Sequence, residues 1–495
     1  MKKMKTMIAC VLAGSMVLTA CSSGSKNTAD KSAAESEAGK KKLASITFLS
    51  KDYYNTPEVA QMLSEQFKSK TGVGLDIKHV PSNNWEDKVT ATFVSGDMPD
   101  LARLPSNPYP LVKQDFLVPL DDYINANPRV KAILDANPNV VEPFKYFGKT
   151  YALSVNNQKF MNLWLRTDWL QKLGVGQPKT MDELINILTL FRDHDLDQNG
   201  KKDTIPLTLS AVLKDQEMFA DYFGTRNQIY MKDGKAVVPF LTPNYKEYMD
   251  FMSKLYKDRL IDLEMPTNTS YGAVRTKFIN GQAGAIIMWD DIYDTLKEGL
   301  DKNFKGADVE YLQPFKGDKG VFGLSYFEAD SPIGITSASK QPKETFDTFF
   351  TWLLTDMEAI IATSRGIKGY HYDLVEGKLV PNSANGGVGF RGQSFPPLDR
   401  NFKYPFAFDE ETQREYENIV EIAKLGDTFM DHVVTDTPSS EFSRYSNIAS
   451  DLKAKTTDLF HNYVMGKIDY DGYVASFNSY AKEVDLNAVV HEINK

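Results

Sequence analysis

Between Leu43 and Leu104 short apolar runs alternate with one-faced helical stretches, and that alternation narrows the possible folds more than any other feature. Leu43 to Ser50 is a strand-like run carrying Ile46, Phe48 and Leu49. Thr56, Pro57 and Glu58 then supply an N-cap, an N1 proline and an acidic first turn. Val59, Met62, Leu63 and Phe67 fall at i, i+3, i+4 and i+8, one apolar stripe on a helix that stops near Gly72. Leu75, Ile77 and His79 alternate as a strand, and Asn84 caps a helix bearing Trp85, Val89 and Phe93. Gly96 ends that helix, and Leu101 to Leu104 begins a third strand. The order β-α-β-α-β predicts an α/β fold with a mainly parallel sheet, helices on both faces, and ligands at the carboxyl ends of the strands. Further helices are predicted after the capping box Thr180 to Glu183, after Thr242-Pro243, through Phe346, Phe349, Phe350 and Leu353, and across most of Ser439 to Tyr480.

The first 42 residues are of another kind. Lys2, Lys3 and Lys5 precede an apolar run from Met7 to Ala20, too short and too rich in Ala, Ser and Thr to span a bilayer, so residues 1–20 are read as a cleavable export signal. Residues 22–42 hold no aromatic or branched apolar side chain and read as a tether that does not fold. Both cysteines, Cys10 and Cys21, lie in this segment, which excludes thiol catalysis and cysteine-bound zinc in the remainder. Removing residues 1–20 deletes three lysines and no acid and takes the formal charge from −9 to −12, which argues against a nucleic-acid partner.

Leu18-Thr-Ala-Cys21 resembles the lipobox of bacterial lipoproteins, which implies lipidation at Cys21 and a soluble domain held on the extracellular face of the cell membrane. From about Leu43 onward the chain resembles the extracellular solute-binding protein family 1, the carbohydrate-binding components of ABC importers. The resemblance is carried by Phe67 to Gly72, by Ser95-Gly-Asp-Met-Pro-Asp100, by Phe147 to Leu153, by Leu163 to Leu170, by Pro178 to Leu184 and by Gly366 to Tyr372, the later ones as in the large lipoprotein branch. It implies a two-lobed, periplasmic-binding-protein-like fold of type II, its discontinuous lobes joined by a hinge. The expected crossings lie near Ser154, near Pro314 to Gly320 and around 390 to 400, giving one lobe from 43–154 plus about 320–395 and another from 155–319 plus about 396–495.

By the same resemblance Trp289, closing the buried run Ala283 to Trp289, stacks on a sugar, and Asp290 accepts its hydroxyls. Asp52 and Tyr53 after the first strand and Arg103 at the end of the third occupy ligand-facing loops. Leu165 stands where the family often has a stacking Tyr, so its neighbours Trp164 and Arg166 are the candidates there, Arg166 alternatively pairing with Asp168. The residues themselves suggest a calcium loop: Asp195, Asp197, Asn199 and Asp203 sit at loop positions 1, 3, 5 and 9, Gly200 at 6, and the Lys201 carbonyl at 7, although Pro206 replaces the closing Glu. Gly387 to Gly392 matches GxGxxG without the strand and helix that motif needs, and reads as a loop. No HExxH or GxSxG is present.

The expected function is therefore a monomeric, lipid-anchored receptor that captures an oligosaccharide and hands it to an ABC permease without making or breaking bonds. Three alternatives stay open on sequence alone: a secreted carbohydrate-active enzyme, a calcium-dependent adhesin, and a peptide-binding importer receptor.

Overall fold

The computed structural model describes residues 42–51, 57–81, 85–154, 159–289, 292–327, 332–382, 398, 402–408, parts of 410–421 and 442–495. Strands β1 (Ser45–Lys51), β2 (Gly74–Val80) and β3 (Leu101–Arg103) alternate with helices Pro57–Thr71 and Trp85–Val94, as the periodicity predicts. Val59, Leu63 and Phe67 of the first helix are buried, as are Trp85, Val89 and Phe93 of the second. The two expected caps, Thr56 and Asn84, lie outside the described residues.

Along the chain follow β4 (Lys159–Arg166), β5 (Ile205–Thr208), β6 (Ala283–Trp289), β7 (Val309–Tyr311), β8 (Leu324–Phe327) and β9 (Ile333–Ile335). They complete two separate sheets. The first has the order β9-β3-β1-β2, with β1 parallel to both neighbours and β9 antiparallel to β3. The second has the order β7-β4-β6-β5, with β8 on the amino-terminal half of β4. Each sheet has its own core: Phe67, Phe346, Phe349 and Trp352 meet beneath the first, and Leu163, Leu165, Phe191 and Met249 beneath the second. Helices Ser443–Val464, Tyr470–Glu483 and Leu486–Ile493 pack into the second core through Phe460, Phe477 and Val489.

The predicted helix starts are made as their chemistry requires. Thr180 Oγ1 accepts the Glu183 N–H at 3.2 Å, and Glu183 reaches back to the Lys179 N–H at 2.7 Å. Thr242 accepts the Tyr245 N–H at 3.3 Å, and Tyr245, Tyr248, Met249 and Met252 form the buried side of helix Pro243–Lys257.

Leu153 still bridges to Ile333 of β9 in the first lobe, and Lys159 begins β4 of the second. The second crossing differs from expectation. Pro314 to Gly320 is no linker: Phe315–Lys316 and Val321–Phe322 form a hairpin whose rings pack on Phe219 and Tyr222 of the second lobe. A β-carbon on Gly320 would overlap the Asp221 carbonyl oxygen, so the turn sits directly on that helix. The return falls between Phe327 of β8, paired to β4, and Ile333 of β9, paired to β3. The third passage also lies later than expected, because Leu398 still packs in the first core and Tyr404 donates to Ser364 Oγ at 2.9 Å. Arg414 lies over Tyr293 of the second lobe at 4.9 Å.

Gly284 shows how tightly the second core is closed. A β-carbon there would overlap the Phe191 ring and sit 2.9 Å from Trp169 Cζ3. Gly284→Ala is expected to cost about 1–3 kcal/mol by overpacking, read as a lower denaturant midpoint at unchanged slope.

Candidate functional site

Strands β5 and β6 run parallel, so Thr208 and Trp289 share one end of the second sheet, and antiparallel β4 begins there with Met161 opposite Trp289. Three side chains converge at this end. The half-buried Trp289 ring lies 5.6 Å from the ring of Tyr271, at a 59° angle. Tyr271 Oη donates to Asp215 Oδ1 at 3.1 Å, and Ser210 Oγ donates to Asp215 Oδ2 at 2.5 Å. The Trp289 carbonyl accepts Trp164 Nε1–H at 3.2 Å, which ties the end of β6 to β4.

Burial pushes the Asp215 carboxyl up, and the two hydroxyl donors oppose that shift. The Tyr271 hydroxyl is raised by burial and by the Asp215 charge, so it stays protonated and keeps donating. The result is an aromatic corner braced by a buried acid, apolar on its ring faces and polar beneath. Such a surface suits a ligand with C–H faces and hydroxyl edges. Tyr271 and Asp215 carry no linear signal. They precede Trp289 by 18 and 74 residues, and only the β5-to-helix connection folds them onto it.

In the first lobe the carboxyl ends of β1 and β3 present Lys51 and Arg103. Lys51 Nζ stands 5.8 Å over the buried Trp85 ring, and Arg103 is buried at the foot of the following loop. That loop is set by side chains: Asn107 Oδ1 accepts the Tyr109 N–H at 3.1 Å, and Glu86 accepts the Ser106 N–H at 3.4 Å. Asp52, Tyr53 and Asp290 lie outside the described residues.

Two expected ligand residues are placed elsewhere. Trp164 has no exposed surface; its ring lies between Tyr293 and Tyr311, at 6.3 and 6.0 Å, inside an apolar cluster. Arg166 lies at the opposite end of the sheet from Trp289, because Leu165 pairs with Ala285 while Met161 pairs with Trp289. That separation is roughly 17 Å along the strand. Arg166 forks onto Asp168 with two bonds of 2.7 Å, the pairing alternative, and stacks on Trp169 and Phe304. Leu165 is buried in the larger core.

The acidic loop is a compact turn. Asp195 accepts the Asn199 and Gly200 N–H groups at 3.1 and 2.9 Å, and Asn199 Oδ1 accepts the Lys201 N–H at 2.8 Å. Asn199 Nδ2 donates to both Asp197 and Asp203, at 2.8 and 2.9 Å. Partial burial, with Asp195 and Asp203 close by, pushes the Asp197 carboxyl up. Among the described residues no three His, Cys, Asp or Glu side chains form a ready metal cage. The amide nitrogen of Asn199 instead holds two of the carboxylates, and a turn of that amide would present oxygen in its place. The donor set therefore fits a hard cation in chemistry.

Two α/β lobes linked by repeated chain crossings, with an aromatic corner at the strand ends of one, define a hinged solute-binding protein. The chain belongs to the bacterial extracellular solute-binding protein family, whose model matches residues 55–360. Among its relatives, the polygalacturonan/rhamnogalacturonan-binding protein YtcQ of Bacillus subtilis is 25% identical over 380 residues, 75% of this chain and 74% of the relative. Lipoprotein LipO of the same organism is 21% identical over 86% of both chains. The fructooligosaccharide ABC transporter substrate-binding protein FusA of Streptococcus pneumoniae is 29% identical over 55% of each. Among solved structures, the alginate-binding protein AlgQ2 without calcium ion superposes with a TM-score of 0.67 at 19% identity, covering 92% of this chain and 98% of that one. FusA in complex with kestose gives 0.63 at 19% identity, covering 91% and 98%. These likenesses establish the two-lobed fold.

Proposed function

We propose that this protein is the lipid-anchored, extracellular substrate-binding component of an ABC importer, and that its solute is an oligosaccharide. The observation that carries the reading is the Trp289, Tyr271 and Asp215 corner at the carboxyl ends of β5 and β6. The names of YtcQ and FusA, both binders of saccharides, support it. Stacking on Trp289 fixes the plane of one sugar ring, and hydroxyl contacts then select its orientation. Contacts from Lys51 and Arg103 on the other lobe would be made together with these only when the lobes approach, so ligand favours the closed state by its extra affinity for it. A permease that recognises only the closed shape receives loaded protein. Cys21 would hold the protein at the membrane, with residues 22–42 between the anchor and the folded part.

A thermal-shift panel of pectic, alginate and fructan oligosaccharides, with short peptides as a second arm, tests this reading. A ligand bound only by folded protein raises the melting temperature. A shift with any saccharide supports the proposal; shifts confined to peptides, or sustained cleavage of the glycan, would replace it.

Calcium belongs to the same proposal as a structural brace. Asp195, Asp197, Asn199, Asp203 and the Lys201 carbonyl would hold it, relieving the mutual repulsion of the three carboxylates. Calcium is expected to raise the melting temperature by several degrees over a chelator-treated sample, and Asp195→Asn with Asp203→Asn to abolish the difference. Equal melting with and without calcium in the parent would refute the brace.

A further inference from the structure

We propose that Asp262 and Lys277, which lie outside the aromatic corner, are its positioning residues: their buried ion pair sets where Tyr271 stands against Trp289, and through that placement sets the affinity of the saccharide site. The inference rests on the reading of that corner as the ligand site and names what builds it. Tyr271 opens helix Tyr271–Ile279, and Asp215 lies on the chain that leaves β5, so two separate segments must meet for the corner to exist.

One carboxylate joins them. Asp262 is 3% exposed, and its Oδ2 accepts from Thr208 Oγ1 at the end of β5 at 2.9 Å, from Asn268 Nδ2 at 2.9 Å, and from Lys277 Nζ in the last turn of the Tyr271 helix at 2.7 Å. Its Oδ1 accepts the Glu264 N–H at 2.9 Å. Two arms run from this node. On one, Asn268 Nδ2 also donates to the Leu209 carbonyl at 3.1 Å, and the Asn268 carbonyl accepts the Ala211 N–H at 2.9 Å; these bonds flank Ser210, whose hydroxyl donates to Asp215. On the other, Lys277 also donates to Glu264 Oε2 at 2.7 Å and Asn268 Oδ1 at 3.1 Å, so all three of its N–H groups are engaged by the loop leading into its own helix. Burial opposes both charges, and the bonds between them outweigh it: the Asp262 carboxyl is held below its ordinary pKa and the Lys277 ammonium above its own. Val274 and Phe278 bury the inner side of the helix in the smaller core, but apolar contact is non-directional. The fork at Lys277 supplies the direction, and a helix released there is free to turn on its apolar side and carry the Tyr271 ring away from Trp289. The competing reading is that the network only stabilises the lobe.

Fluorine NMR of the purified protein labelled with 5-fluorotryptophan, together with saccharide titrations well below each variant's melting temperature, separates the two. The five tryptophans give separate probes, and the Trp289 resonance is identified by its loss in Trp289→Phe. Lys277→Met is expected to move the Trp289 resonance, to leave that of Trp85 in the first lobe in place, and to weaken the saccharide that gives the largest thermal shift about tenfold in Kd. Lys277→Arg, which keeps the cation and several donors, should recover most of that affinity. Thr208→Val removes one donor at nearly constant shape and should weaken binding about threefold; it decides the matter if Lys277→Met does not fold. Gly284→Ala, which costs stability at the opposite end of β6 from Trp289, should leave Kd unchanged. An unmoved Trp289 resonance in Lys277→Met, parental Kd in both Lys277→Met and Thr208→Val, or an equal loss of affinity in Gly284→Ala would overturn the proposal. A parent that binds no saccharide defeats the importer reading instead, while the resonance, read without ligand, still decides whether the ion pair places Tyr271 against Trp289.

Discussion

Arg226→Met is expected to destabilise the second lobe by about 3–5 kcal/mol, because it leaves buried acid without its counter-charge. Arg226 Nε lies 2.8 Å from Glu217 Oε1 and 3.8 Å from Asp221 Oδ1, with all three side chains at 5% exposure or less. Asn227 adds two bonds to Glu217, both at 3.0 Å, and Tyr245 donates to Asn227 Oδ1 at 3.3 Å, so the network links helix Glu217–Tyr222 to helix Pro243–Lys257. Burial pushes the Asp221 carboxyl up to about 8, with the Glu217 charge adding to the shift and Arg226 opposing it.

The sign of the pH dependence follows from that direction. A carboxyl whose pKa is higher folded than unfolded supports folding in its protonated form. Its contribution is full below the ordinary value of 3.8 and lost as pH rises towards about 8. The parent should therefore lose stability across that window, and Arg226→Met should lose more, since the opposing positive charge is gone. Asp221→Asn, the neutral isostere, should be more stable than the parent at pH 8 and lose that advantage at pH 4. Urea unfolding at the two pH values measures both; a pH-independent difference between Asp221→Asn and the parent would contradict the account.

Trp289→Ala is expected to weaken oligosaccharide binding by at least about 2 kcal/mol, roughly thirtyfold in Kd. The indole is the largest partly exposed ring at its strand end, and Tyr271 and the Asp215 network hold the neighbouring ring in place. Trp289→Phe should recover part of the affinity, because a ring face remains. The melting temperature should move little, since the indole sits at the edge of two cores. Unchanged Kd in the alanine variant would remove Trp289 from the site.

Much of the fold was legible in the sequence where its elements are local. Thr180 and Glu183 announce a helix start by chemistry confined to four residues, and Val59, Leu63 and Phe67 announce a buried face by spacing alone. The second sheet resisted reading because both faces of β4 are covered: Met161, Leu163 and Leu165 enter the larger core, Phe160 and Trp164 the smaller. Side-chain type cannot then mark a ligand-facing position, and strand direction, which sends Arg166 to the far end, is a property of the pairing. The crossing that the resemblance implied at Pro314 to Gly320 falls instead on a packed hairpin, because the approach of Gly320 to the Asp221 backbone is a tertiary contact with no local signal. Asp215 and Tyr271 had no signal, because their meeting depends on tertiary folding alone.

The central claim is that two lobes close on a saccharide. Small-angle X-ray scattering of the purified protein, alone and saturated with the oligosaccharide that gives the largest thermal shift, tests it most directly. A smaller radius of gyration with ligand, absent in Trp289→Ala at the same concentration, is the expected result. Superimposable curves at demonstrated saturation would contradict it.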